Sequence, residues 1–248
     1  MTTISKAHQL LAATMLFFGT LTLQSCLDDD NDNYQYAFPN ALVTVKQTEN
    51  QTLFLQLDDH TTLLPVNVKE SPFGDKEVRA LVNYNEVNEP CEGYDQAIHI
   101  NWIDSILTKP MVPNLAEEND QVYGKDPVEI VNDWVTIAED GYLTLRFRTR
   151  WGGEATHFVN LISTNNPENP YEVEFRHNAY GDLYGMTGDG LVAFRLNQLP
   201  DTQGETVKLR LKWNSFSGEK SAEFDYCTRQ STPASSDMVA TKSELSLK

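Results

Sequence analysis

An all-β fold is predicted for this chain: an N-terminal OB-like five-stranded barrel followed by a C-terminal seven-stranded antiparallel β-sandwich. Three observations predict it. Short runs alternate apolar and polar residues with the period of a half-buried strand. Turn residues separate these runs at close intervals. One polar stretch, Pro113 to Asp120, divides five runs from seven. The 248 residues are 40% hydrophobic and 22% charged, too apolar for a disordered chain. With 36 acidic residues against 19 basic ones and a net charge of −17, the chain repels polyanions, so nucleic acid is not an expected partner.

The elements follow in chain order. Lys6 precedes an apolar stretch from Leu10 to Leu23, which reads as a signal peptide over residues 1–25 and is short for a spanning helix. Leu23-Gln24-Ser25-Cys26 resembles a bacterial lipobox, in which cleavage precedes Cys26 and that cysteine is lipidated. Gln24 departs from the small or apolar residue usual there. Acyl chains supply about 0.8 kcal/mol per buried methylene, so two or three of them anchor the protein to a membrane firmly. Residues 1–25 hold one base and no acid, so the mature chain of 223 residues carries −18. Residues 26–35 form an acidic tether. Its Leu27-Asp28-Asp29-Asp30-Asn31-Asp32 resembles the signal that exports Bacteroidetes lipoproteins to the outer face of the outer membrane. The expected location is therefore the outer membrane, lipid-anchored and facing the cell exterior.

The barrel is placed over 36–113, on the runs 41–46, 52–57, 61–68, 77–84 and 96–102. Asp58-Asp59-His60 marks a tight hairpin and Ser71-Pro72-Phe73-Gly74-Asp75 a longer turn. Closing five short strands into a barrel removes exposed sheet edges. Residues 114–125 read as a linker. The sandwich is placed over 126–229, on the runs 128–134, 142–148, 156–163, 171–178, 191–196, 206–213 and 222–227. Residues 230–248 are rich in serine and threonine without an apolar period and read as a mobile tail.

In order along the chain, Thr44-Val45-Lys46, Phe54 to Asp59, Thr62-Leu63-Leu64-Pro65, Arg79 to Tyr84, Ser105 to Lys109, Asp126-Pro127-Val128, Tyr142 to Phe147, His157 to Leu161, Arg176 to Asp182 and Gly190 to Phe194 resemble the NigD-like lipoproteins of Bacteroidetes. Most are strand patterns of low individual specificity; the ordered series with the lipobox carries the resemblance over nearly the whole mature chain. The resemblance implies an OB-like domain joined to a β-sandwich. It also implies a link to bacteriocin immunity, through the locus that named the family. It carries no catalytic or ligand-binding residues.

Candidate functional residues come from three places. The glycine- and aromatic-rich segment 179–190 and Trp151-Gly152-Gly153 suit a binding loop on a rigid sandwich, with Trp151, Tyr180 and Tyr184 free to stack on a sugar ring or a partner. The alternative is turns whose aromatics cover the core. Arg146, Arg148 and Arg150 project to one side of a strand, and Glu172, Glu174 and Arg176 do so on another. Opposed, they form cross-strand ion pairs; unopposed, the arginines make a carboxylate- or sulfate-binding row. Cys91 and Cys227, an even number in an exported chain, leave room for one disulfide that spacing alone does not decide.

His157 and His177 are the histidine pair able to share a site. The residue types favour a hydrogen-bonded histidine at a core edge over zinc, which needs a third ligand. No Gly-x-Ser-x-Gly, His-Glu-x-x-His or phosphate loop occurs, so neither catalysis nor a cofactor or metal is expected. The barrel's excess of acids disfavours the nucleic-acid use of an OB fold. The expectation is a monomeric, non-enzymatic module for an extracellular ligand or envelope protein. Bacteriocin immunity and glycan binding stand as alternatives. The domain junction, around Asp126 to Trp134, remains open as a ligand cleft.

Overall fold

The computed structural model describes residues 37–229. The signal peptide, Cys26, the acidic tether and the tail from residue 230 lie outside the described residues. Mean alternation becomes real strands: β1 (Ala41–Gln47), β2 (Leu53–Gln56), β3 (Thr62–Pro65), β4 (Val78–Glu86) and β5 (Gln96–Ser105). They close into a barrel in the order β1-β2-β3-β5-β4. All neighbours are antiparallel except β3 and β5. Its interior is filled by one strand parity, among them Val43, Val45, Leu55, Leu63, Val82, Ile98 and Ile100.

Two further sheets stack face to face. One holds β6 (Leu107–Pro110), β12 (Met186–Arg195), β9 (Tyr142–Trp151) and β7 (Glu129–Ile130), with β8 (Ile137–Glu139) also paired to β9. The other has the order β10 (Phe158–Ser163), β11 (Glu172–Asn178), β13 (Val207–Ser215), β14 (Gly218–Tyr226). Leu143, Leu145, Val173, Phe175, Val192, Phe194, Leu209 and Leu211 form the layer between them. Seven antiparallel strands were expected. Nine are present, and β6/β12 and β11/β13 are parallel pairs.

Other differences have local causes. Strand β6 sits within the stretch read as barrel, yet it leaves β5 after a single residue, Ile106, and pairs with β12. Segment 114–125, read as a linker, folds into a short 3-10 turn and a helix, α1 (Asn119–Tyr123). It packs on the sandwich: Asn114 donates to the Ser163 carbonyl (2.7 Å) and Asp120 pairs with Arg176. In the 128–134 run only Glu129 and Ile130 pair, because the chain turns at Asp133.

Barrel and sandwich meet along the outer faces of β1 and β4. This is why β1 is buried on both faces, its alternation notwithstanding. Leu42 and Ile106 pack with Val135, Tyr142 and Ala193 across the junction. Among them lies Arg79, with 0% of its surface exposed. Its guanidinium donates to Glu139 (2.8 Å), Thr44 (3.0 Å) and Thr144 (3.4 Å). Beside it, buried Lys46 donates to Asp140 (2.8 Å) and Gln56 (3.2 Å). Burial pulls the Lys46 ammonium below the usual lysine range, with the Asp140 carboxylate opposing that pull.

The third bond set centres on Glu77, which accepts from the Tyr142 hydroxyl (2.5 Å) and from Arg229 (2.8 Å). Burial, then the hydrogen bond to Glu77, pushes the Tyr142 phenol up to about 12. Three charged groups of the barrel are thus each matched by the sandwich. Removing one partner of such a buried pair strands the other. Arg79→Ala is therefore expected to lower unfolding free energy by about 3–5 kcal/mol and to split a single calorimetric transition into two. A loss within the range of surface substitutions, about 0.5 kcal/mol, would show that the pair does not hold the domains together.

Candidate functional site

Strand β9 is ten residues long, from Tyr142 at the junction to Trp151, roughly 30 Å away at the rise of a β-strand. At that far end the chain leaves β9 through Gly152 and Gly153. The loop between β11 and β12 comes alongside, and one carboxylate joins them. Buried Asp182 accepts from the backbone N–H groups of Gly152 (2.7 Å), Gly153 (2.9 Å), Glu154 (3.0 Å) and Ala155 (3.4 Å). Burial works against its charge, but these N–H donors outweigh it and hold the carboxyl below the usual range. The approach is close enough to require glycine. A Cβ on Gly185, whose φ is +123°, would lie 2.4 Å from the Trp151 carbonyl oxygen.

These pinned loops present an aromatic and apolar surface. Trp151 is 53% exposed, Tyr180 62%, Tyr184 78% and Met186 84%. Exposed Phe158 meets Tyr180 edge to face at 5.6 Å. Tyr180 itself has φ +50°, a conformation costing of order 1–3 kcal/mol for a side chain of this kind, and its N–H is held by the Asn178 side chain (3.0 Å). Beneath the indole of Trp151 lies the ring of His157, at 5.6 Å between centroids. The three aromatics read from sequence as loop residues therefore belong to one end of the sandwich. Phe158, Met186 and Asp182 were not singled out. Met186 lay in an expected loop that instead begins β12, because Met186 to Gly190 lacks apolar alternation and still pairs with β9.

Glycine also shapes the sheet beneath. A Cβ on Gly190 would come within 2.5 Å of the Phe147 ring, which lies over the bare backbone of β12.

The arginine row is not free. Strands β9 and β11 lie in different sheets, so the expected opposition of Arg146 and Arg148 to Glu172 and Glu174 does not occur. Instead both arginines share Asp189 on β12. Arg146 donates to it at 2.8 Å and to Asp133 at 2.5 Å, and Arg148 donates at 2.6 Å. The hydrogen bond from Arg148 is the largest of several effects that hold the Asp189 carboxyl down at about 2. Arg150 reaches over the Phe216 ring. Glu174 pairs with Arg176 on its own strand (2.6 Å), and Glu172 accepts from Thr164 (2.9 Å).

His157 and His177 do share a site: His157 Nδ1 and His177 Nε2 are 3.0 Å apart. Among the described residues no three histidine, cysteine or carboxylate side chains converge to hold a metal ion. The disulfide left open by the sequence is not formed, and Cys91 and Cys227 are both free thiols. Cys91 lies in the β4–β5 loop of the barrel and Cys227 follows the last sandwich strand.

The expected region 126–134 reaches the junction only at its end, beside Val135. Asp126 sits near the aromatic end, accepting from Ala179 N–H (2.7 Å), whereas the domains meet near Glu139 to Tyr142. There a cleft of about 490 Å³ is lined by Asp58, Asp59, His60, Glu139, Glu223 and Asp225 among others.

Residues 42–106 match the family model of the NigD-like N-terminal OB domain, and 110–226 that of the NigD-like C-terminal beta sandwich domain. A crystal structure of a protein described as toxin-related from Parabacteroides distasonis is 37% identical. The match covers 82% of this chain and 97% of that one, with a TM-score of 0.63. A NigD-like immunity protein from Bacteroides caccae is 19% identical over 75% of this chain and 96% of its own (TM-score 0.53). A protein described as a lipoprotein from Bacteroides fragilis is 15% identical over 77% and 98% (TM-score 0.54). These last two share the fold. A search of curated proteins finds no match.

Because Asp189 and Asp133 pair Arg146 and Arg148, wild-type protein is expected to pass a sulfated-glycan column without retention. Asp189→Ala, which frees Arg148 and leaves Arg146 with Asp133 alone, is expected to be retained in a salt-sensitive manner. Equal retention of the two proteins would show that the arginines are available as they stand.

Proposed function

The chain belongs to the NigD-like family, and from that premise we propose that it is a non-enzymatic, lipid-anchored binding module at the outer-membrane surface. Its ligand is an extracellular molecule or a neighbouring envelope protein. The observation that carries this reading is the aromatic end itself. Trp151 at the end of β9, Tyr180 and Tyr184 on the β11–β12 loop and Met186 at the start of β12 are exposed around the turn that Asp182 pins, so little ordering is left for binding to impose. Tyr and Trp in such settings supply large rigid contact area at low entropic cost.

The anchor in this proposal is Cys26. The lipobox and the acidic run behind it support the address, as does the lipoprotein description of the Bacteroides fragilis relative. Residue 37 enters the barrel, and β9 carries the aromatic surface to the sandwich end opposite the junction. The ligand surface therefore stands clear of the domain contact. No reaction is assigned to it: the chain binds and presents.

A second reading, self-protection by intercepting a toxin at the cell surface, is favoured by the names of the Bacteroides caccae and Parabacteroides distasonis proteins. Both readings use the same surface, and a third, stacking on a neutral glycan, would use it too. On intact cells, the wild-type domains are expected to be shaved by added protease while a periplasmic control survives, and a Cys26→Ala variant is expected to be lost from the membrane fraction. Partner or glycan capture is expected to fall about tenfold or more with Trp151→Ala or Tyr184→Ala. Toxin sensitivity of a deletion strain, rescued by wild type but not by those variants, selects the protection reading. Full protease protection of the wild type would overturn the surface assignment.

A further inference from the structure

Under the aromatic end, beside Asp182, lies a histidine pair that the binding role leaves unused. The His157 side chain is 8% exposed and the Asp182 side chain 3%. On one side of its ring, His157 Nδ1 faces His177 Nε2 at 3.0 Å. On the other, His157 Nε2 is buried without a hydrogen-bond partner, 3.6 Å from an Asp182 oxygen. A neutral imidazole carries one N–H and can donate to one of these neighbours; it meets both only where its Nδ1 instead accepts from His177 Nε2–H. An imidazolium carries two and can serve both.

We propose that His157, on taking up a solvent proton, closes a clasp from Asp182 through its own ring to His177, and so tightens the two loops that carry Trp151, Tyr180 and Tyr184. The added proton completes the N–H pair. Nε2–H donates to the Asp182 carboxylate, and Nδ1–H donates to His177 Nε2. Asp182 already holds the turn 152–155 by its backbone N–H groups. The new bond therefore ties that turn to the start of β10, to β11 and to the 179–186 loop at once. Trp151, resting on the His157 ring, reports the event.

The surrounding charges suit this assignment. From the β11–β12 loop Asp182 presents a carboxylate held ionised by its N–H donors. From β11 comes His177, whose burial, then the neighbouring His157, keeps it below the usual histidine range, with Asp126 from the segment before β7 opposing them. His177 is thus the member of the pair whose charged form its surroundings disfavour. From β9 the pair meets the Trp151 ring. The clasp concerns the surface to which binding is assigned, but it is read without any ligand, so its failure and that of the binding role are separable.

The test is a pH titration of the mature chain from 8 to 5. Long-range proton–nitrogen NMR follows both imidazoles, and amide exchange at Gly152 to Ala155 is corrected for its intrinsic pH dependence. As His157 acquires its second N–H, exchange at these amides is expected to slow and Trp151 emission to change, while His177 stays neutral. His157→Gln is expected to lose both pH responses. Protonation of His177 first, amides that exchange at the same rate or faster as His157 protonates, or pH responses that persist in His157→Gln would each overturn the clasp. The wild-type NMR titration decides the matter even if the variant does not fold.

Discussion

The structure depends on burying charge between two β domains without leaving any of it unpaired. Arg79 reaches out of the barrel wall to Glu139, Lys46 to Asp140, and Glu77 receives Tyr142 and Arg229. Each ion removed from water costs several kcal/mol, recovered only where its partners are placed well. Such contacts tolerate little sliding or rotation. They are ringed by apolar contacts, Leu42 and Ile106 against Val135, Tyr142 and Ala193, that keep water out. Specific orientation follows from the polar groups, and cohesion from the apolar ones. The two domains form one body for this reason, although each has its own core.

From that fixed junction the sandwich extends β9 and its partner β12 in an unbroken ladder, from Tyr142 opposite Arg195 to Trp151 opposite Met186. The aromatic end is thus an extension of a strand rooted in the domain contact. Its loops borrow rigidity from Asp182, a single buried carboxylate facing four N–H groups. The exposed rings above are consequently a built surface on a stiff base. Exposed apolar side chains grouped at one end of a strongly acidic protein suit the contact surface proposed for them.

Much of the architecture was legible in the sequence, because strand alternation and turn residues are local signals. The five barrel strands fall close to the runs 41–46, 52–57, 61–68, 77–84 and 96–102. What was not legible is long-range. Lys46 and Arg79 have the wet parity of their strands, and nothing local says that a second domain covers that face. Strand β6 is four residues long and pairs with residues 85 positions further along the chain, and β8 has three residues. The start of β12 is masked by glycines that read as loop, although Gly190 is there to make room for Phe147. Within the site, the loop aromatics Trp151, Tyr180 and Tyr184 were recognisable by type and setting. Their convergence, and the role of Asp182, needed the fold. The ion pairing of the arginine row was hidden for the same reason: Asp189 lies across a ladder that sequence does not reveal.

The most direct test of the central claim, that the aromatic end is where this module meets its partner, is photo-crosslinking on intact cells. A photoreactive residue replaces Tyr184 in one strain and, in another, Phe38, which is also well exposed but lies at the start of the barrel. A discrete adduct from position 184 that disappears with Trp151→Ala, with none from position 38, is the result predicted. Capture from position 38 and none from position 184 would contradict the account and move the working surface to the barrel.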